Sequence, residues 1–259
     1  MINRLAAIAA NTFREAVRDR VLYNLIFFAI MMTGAAFLLG QITIDIQRIF
    51  LINMGLSAIS IFGTVIAIFI GIGLVSKEIE KKTLYSILSR PVRRWEFVTG
   101  KAMGLFTTLV VNTAVMAAAF FLALLPLSNY SYRASDVYLL IAIYFIVLQF
   151  LIITSYTLLF SSFSSPVLSA VFSFALFVVG SFAQDLRNAA AMAHGSTVWL
   201  LQAVAYLVPN LAALNVITSV SHENPVAAGV IFYNTAYALL YSVAVTSGAA
   251  LIFERRNFK

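Results

Sequence analysis

Ser76–Lys101 reads SKEIEKKTLYSILSRPVRRWEFVTGK, the one long polar stretch held between two long apolar runs. Leu51–Val75 before it and Ala102–Leu125 after it contain no Asp, Glu, Lys or Arg. At a rise of about 1.5 Å per residue, about 20 apolar residues cross the hydrocarbon core of a bilayer. Each run is long enough to span, so this part of the chain crosses a membrane, turns in water and crosses back. The turn carries Lys77, Lys81, Lys82, Arg90, Arg93, Arg94 and Lys101. Within it, Ile79, Leu84, Ile87 and Leu88 alternate with charges at helical spacing. Ser89-Arg90-Pro91 breaks that helix, and Arg93–Val98 can begin another. The expected element is a helix, a proline turn and a second helix leaning on the membrane. Two readings remain open. Apolar knobs with a basic rim could enter a partner's groove, or the same basic residues could hold a loop to anionic lipid.

Composition extends the membrane reading to the whole chain. Of 259 residues, 62% are hydrophobic and only 10% charged, with a mean hydropathy of +0.96. A soluble domain keeps about a quarter of its residues charged. The chain is therefore expected to be an all-α, polytopic membrane protein forming a single transmembrane domain over 1–259. It has no cysteine, which excludes disulfides and thiolate chemistry. Its net charge of +7 would suggest nucleic acid in a soluble protein. Here a cytoplasmic bias of Lys and Arg accounts for it, and no nucleic-acid partner is expected. The first apolar run is too long for a signal-peptide core, so no cleavable leader is expected.

Taken in order, Met1–Arg20 reads as an amphipathic interfacial helix. Ile2, Leu5, Ala9, Phe13, Ala16 and Val17 lie on one side; Arg4, Asn11, Arg14, Glu15 and Arg18 lie on the other. It could be a plain anchor among membrane lipids or have a specific role. Spans are expected at Val21–Gly40, Leu51–Val75, Ala102–Leu125, Val137–Phe160, Val167–Ala183 and Gly229–Phe253. Gln41–Phe50 and Pro126–Asp136 read as polar connections. Ser161–Pro166 reads as a tight turn, with Pro166 suited to a first helical position. Gln184–Thr197 reads as a polar patch. Val198–Val220 is interrupted at Pro209-Asn210, and each half is too short to cross. It is expected as two short helices dipping into, or lying along, the outer leaflet within an extracytoplasmic segment, 184–228.

Charge supports six spans with both termini in the cytoplasm. That arrangement places Arg4, Arg14, Arg18 and Arg20, the seven basic residues of Ser76–Lys101, and Arg255, Arg256 and Lys259 on one side. Only Arg48, Arg133 and Arg187 fall on the other.

Chemical machinery is sparse. Gly100-Lys101 lacks the upstream glycine and the following Ser or Thr of a phosphate-cradling loop. No His-Glu-x-x-His or serine-nucleophile pattern occurs. His194 and His222, with Asp185 and Glu223, read as solvated loop residues rather than a metal site. No ionisable residue lies in mid-span, where ion-coupled transporters hold their driving ion. Asn53, Asn112 and Gln149 read as hydrogen-bonding between helices. Any transport energy is therefore expected from outside the chain, and no enzymatic activity is expected in it. Gly63, Ala67 and Gly71, four residues apart, let another helix approach closely. That helix could belong to the same subunit, or the face could meet a second subunit or line a path.

At Ser76–Lys101 the sequence resembles the ABC-2-type transporter permeases. The carriers are Glu78-Ile79-Glu80-Lys81-Lys82-Thr83-Leu84, Ile87-Leu88-Ser89-Arg90-Pro91-Val92, Arg94-Trp95-Glu96-Phe97 and Gly100-Lys101. Lys82 departs from the usual glycine. The amphipathic start, SSFSSPVLSA at Ser161–Ala170, and Tyr206-Leu207-Val208-Pro209-Asn210-Leu211 also resemble family segments.

The resemblance implies a half-transporter, type V ABC exporter-like, paired with a second permease copy as a homodimer. Two separate ATPase subunits would bind the ATP and Mg, and this chain no cofactor. It implies that a cytoplasmic coupling helix between spans 2 and 3 docks on the ATPase through Glu78, Glu80, Thr83, Leu84, Ile87, Leu88, Arg90, Pro91 and Arg94. It implies that spans 2 and 5 line the path at the dimer axis, making Gly63, Ala67, Gly71, Phe174 and Phe177 candidates. Tyr206, Pro209 and Asn210 become candidates for an outer gate. The expected function is the permease subunit of an ATP-driven exporter in the inner membrane. The alternative is a membrane scaffold or assembly factor with no transport path.

Overall fold

The computed structural model describes residues 2–18, 27–28, 30–32, 34, 44–80, 94–125, 136–192, 199, 202–203 and 207–255. Every regular element among them is helical. The helices are α1 (Ile2–Arg18), α2 (Ile44–Glu80), α3 (Arg94–Leu124), α4 (Asp136–Phe163), α5 (Pro166–Ser181), α6 (Ala183–Met192), a 3₁₀ turn at Ala212–Leu214, α7 (Ile217–Ser221) and α8 (Ala228–Arg255). Four are long and apolar enough to cross a membrane: α2, α3, α4 and α8. The pair α5 and α6, bent by 60°, makes a fifth if it is one span. The expected first span, Val21–Gly40, falls largely outside the described residues. The part described is helical, and there Phe28 and Met32 are fully buried. Phe28 meets Phe62 of α2 edge to face at 6.1 Å between ring centroids.

The bilayer explains why these runs are helical. No water is available in hydrocarbon, so each backbone N–H and C=O must be satisfied within its own segment. α4 is the central helix, packing against α2, α3, α5 and α8. Its Phe145, Phe150, Ile152 and Ile153 join Leu56 and Ile59 of α2 and Phe120 of α3 in one buried core.

One expected boundary is corrected. Gln41–Phe50 was expected as a polar connection, but α2 already begins at Ile44, and Arg48 is buried within it. The polar residues from Gln184 to Met192 lie on the short helix α6. The turn expected over Ser161–Pro166 narrows to Ser164 and Ser165: α4 continues to Phe163, and Pro166 occupies the first turn of α5 as expected.

α1 does more than lie flat. Its Thr12 and Ala16 are buried, and it packs along the beginning of α3. Gly100 and Gly104 of α3 allow this approach. A Cβ on Gly104 would stand 2.6 Å from the Ala9 carbonyl and from Thr12 Cβ, and one on Gly100 would stand 2.8 Å from Ile8 Cβ. At the same end, Phe97 of α3 stacks on Phe253 of α8 at 5.9 Å. This will be called the α1 end. At the opposite end Arg48 ties the start of α2 to the start of α4.

Candidate functional site

Polar side chains inside the helical bundle mark where something other than a lipid tail can be accommodated. Gln149, near the middle of α4, donates from Nε2 to Ser60 Oγ at 3.0 Å and to Thr64 Oγ1 at 3.3 Å, both on α2. This cluster borders a cavity of about 170 Å³. Ser57, Ser60 and Gln149 line one side; Phe177, Ser181 and Asn215 line the other. The cavity thus lies between α2, α4, α5 and the chain that follows Pro209. Gly63 and Gly71 let α2 come this close to α4: a Cβ on Gly63 would collide with the Phe150 ring, and one on Gly71 would stand 2.7 Å from Thr157 Cγ2.

The chain that closes the cavity is irregular. Proline at 209 withholds a backbone donor and ends helical pairing. The neighbouring backbone groups are satisfied from α5 and α8, and the Asn210 side chain reaches α6. Asn210 N–H donates to Tyr237 Oη of α8 at 2.8 Å. Leu211 N–H donates to Gly180 O of α5 at 3.1 Å. The Asn210 side chain accepts from Ala213 N–H at 3.2 Å and donates to Gln184 Oε1 of α6 at 3.5 Å. Asn234 Nδ2 donates to Ala213 O at 3.0 Å. Gly180 is required here, because a Cβ would stand 3.0 Å from Pro209 O and 2.9 Å from the Leu211 side chain.

Depth follows from α8. Tyr241 donates from its hydroxyl to Leu207 O at 2.9 Å, and its oxygen is 2.8 Å from Tyr156 Oη. Tyr241 lies midway along α8, about 20 Å from the helix start at 1.5 Å per residue. The Leu207 carbonyl therefore sits at mid-span depth. From there the chain climbs past Asn210 and Asn234 to Glu223, whose Oε1 is 3.8 Å from Arg48 Nε. Irregular backbone at such depth is stable only when buried in protein or lining a cavity. Leu207 is still helical and is exposed; in the irregular chain beyond it Pro209 and Asn210 are buried in protein, and Leu211, Ala212 and Asn215 line the cavity.

A family model for the ABC-2 family transporter protein matches residues 6–258. The chain belongs to that family. No curated protein matches it. It is a multi-pass ABC-2-type permease, and the match takes in the Ser76–Lys101 stretch, the Pro209-Asn210 segment and every helix from α2 to α8.

The permease distributes the sequence candidates unevenly. Glu78 and Glu80 belong to the last turns of α2, and Arg94 opens α3. Thr83, Leu84, Ile87, Leu88, Arg90 and Pro91 lie outside the described residues, as does Tyr206. Gly63 and Gly71 face Phe150 and Thr157 of α4 within the same chain, and Ala67 between them is fully buried. Gly63 and Gly71 thus serve packing on α4 within the chain. Phe174 is 51% exposed, whereas Phe177 lines the cavity, their rings 6.3 Å apart. Pro209 and Asn210 are both buried at the junction of α5, α6 and α8.

Several residues of this arrangement went unseen in the sequence. Gly180, Gln184, Tyr237 and Tyr241 hold the irregular segment, yet carry no local signal. Arg48, Asp136 and Glu223 were placed in three separate polar stretches. Gly100 and Gly104 did carry a signal, the small-xxx-small spacing of close helix contacts.

Proposed function

We propose that the permease is the transmembrane half of an ATP-driven exporter. It works with a separate ATPase subunit, which binds ATP and Mg, and with a second copy of itself. Neither nucleotide nor catalysis belongs to this chain. Both termini and the α1 end face the cytoplasm of a cell with an inner membrane. Val21–Gly40 supplies the remaining span of a six-span, type V exporter-like half.

The observation that carries this reading is the irregular backbone at mid-span depth closing a polar cavity. A scaffold has no use for Ser57, Ser60, Gln149, Ser181 and Asn215 around a cavity inside the membrane. A permease does, because cargo leaving water needs hydrogen-bonding groups to replace its hydration. Pro209-Asn210 then acts as the outer gate, with Tyr206 beside it in sequence. The exposed apolar side chains of α5, among them Val171 and Phe174, suit the second copy at the dimer axis. Phe177 lies on the path.

Force enters at the other end. α2 continues beyond its apolar window at Gly73 as far as Glu80, and α3 starts at Arg94. The coupling stretch thus joins two long helices. α3 is braced there by α1 at Gly104 and by α8 through Phe97 and Phe253. Displacement of the stretch by a closing ATPase moves this braced group as a rigid body and shifts the population toward an outward-open state.

The test is reconstitution of the permease with its ATPase in lipid. Leu84→Asp, Ile87→Asp or Leu88→Asp is expected to insert normally but lose ATPase co-purification and ATP-dependent transport. Undiminished co-purification in all three would remove the coupling role. Wild-type function without any ATPase would favour the scaffold instead.

A further inference from the structure

A second cavity lies on the other side of α4. It is a groove of about 360 Å³ between α3, α4 and α8, within the range of about 300–1,000 Å³ that small-molecule sites occupy. We propose that this groove holds one acyl chain of a bilayer lipid as a resident ligand, drawn from the leaflet on the α1 side.

Depth supports the source. The groove runs along Thr99–Phe106 on α3, Leu151–Ser155 on α4 and Leu239–Ser247 on α8. All three stretches lie inside the apolar spans; those on α3 and α4 are in the half nearer the α1 end, and that on α8 runs from mid-span toward it. The mouth is apolar and open: Met103 is 57% exposed, Leu239 50% and Val243 64%.

Chemistry supports the class. The groove contains six Ser and Thr residues, but most of their hydrogens are already donated. Thr99 Oγ1 donates to Trp95 O at 2.8 Å, Thr154 Oγ1 to Phe150 O at 2.6 Å, and Ser155 Oγ to Leu151 O at 2.9 Å. Thr246 Oγ1 donates to Ser155 Oγ at 3.1 Å. What these residues present to the groove is mostly carbon. Ser242 Oγ is buried with no partner among the described residues and is one polar group on a wall otherwise mostly of carbon, whereas an ordered water needs two to four. Left empty, the groove would forfeit dispersion contacts along its whole wall.

On the reading proposed above, in which the second copy docks on α5, position argues against that copy as occupant. α5, with its exposed apolar face, packs on α2 and α4. The groove is bounded by α3, α4 and α8, so α4 stands between the two. Bilayer tails are the medium that reaches it.

The test uses the whole permease in nanodiscs containing a phosphatidylcholine with a diazirine at mid-chain. After irradiation, labelled peptides are read by mass spectrometry. Labelling around Met103 and Val243 is expected to exceed that at the equally exposed Val171 and Phe174 severalfold. Ser247→Trp, which fills the groove, should bring groove labelling down to the α5 level while α5 labelling stays unchanged. Ser247→Leu, a smaller filling, should give a partial drop if the tryptophan variant does not fold. Ser242→Ala should leave labelling unchanged, because the occupant is met by carbon. Equal labelling of groove and α5 in the wild type would overturn the proposal. So would undiminished groove labelling in a folded Ser247 variant, or a disulfide between two copies carrying Val243→Cys.

Discussion

The guanidinium of Arg48, in the second turn of α2, is ion-paired with the carboxylate of Asp136, the first residue of α4, and both side chains are buried. Glu223, in the turn before α8 and held at φ 61°, brings a second carboxylate to the same guanidinium from the third side, 3.8 Å from Arg48 Nε. Three segments far apart in sequence are thereby pinned at one end of the bundle. Removing one member of a buried pair leaves the other charge uncompensated, at a cost of about 3–5 kcal/mol. Arg48→Ala or Asp136→Ala should lower thermal stability in detergent accordingly. The double variant Arg48→Leu with Asp136→Leu should recover much of it. Equal losses in single and double variants would show that the pair's charge is not what matters.

Docking of α1 rests on Gly100 and Gly104. Gly104→Leu places a branched side chain where the Ala9 carbonyl and Thr12 now sit. Overpacking of this kind costs about 1–3 kcal/mol, and backbone cannot swing aside as a side chain can. α1 should detach while α3 stays inserted. Hydrogen exchange at the α1 amides should rise in Gly104→Leu while the α3 amides beyond Leu105 stay protected; unchanged protection of α1 would show that the contact at Gly104 does not hold it.

Contact between α2 and α4 at Gly63 offers a rescue experiment. Gly63→Ala drives a methyl into the Phe150 ring, and a loss of about 1–3 kcal/mol is expected. Phe150→Leu, combined with it, frees the space and should restore part of the loss. Stability measured by thermal unfolding should therefore be non-additive. Simple addition of the two penalties would place the collision elsewhere.

Asn210 makes one backbone and two side-chain hydrogen bonds at the break in the chain. Asn210→Ala loses the two from the side chain, each contributing about 0.5–1.5 kcal/mol. Tyr237→Phe strips the partner of the backbone N–H. Both variants should raise hydrogen exchange at 211–214 and leave the core of α4 protected. In the reconstituted transporter, ATP hydrolysis should persist while transport falls. Unchanged exchange would remove Asn210 from the structure of the closed segment.

Much of the architecture was legible because a bilayer tests each segment by itself. Length and apolarity over about 20 residues decide whether a run crosses, and α2, α3, α4 and α8 fall where those criteria put them. Pro166 and Pro209 were equally readable, since the missing N–H acts locally. Arg48 misled for a related reason. A charge reads as a loop residue when its neighbours are polar. Its burial depends on Asp136, 88 positions away. The Gly63, Ala67 and Gly71 spacing announced a close helix neighbour without saying which one.

Sequence alone determined that this chain lives in a membrane, where most of its helices lie, and which family motif it carries. Those are properties of short contiguous runs in a uniform solvent. Only the tertiary structure decided that α4 is the central helix, that Arg48 and Asp136 meet, that α1 docks on Gly104, and that Leu207 reaches mid-span depth. These depend on which distant surfaces fit together. Shape and hydrogen-bond complementarity between helices select among partners that hydropathy treats as equivalent.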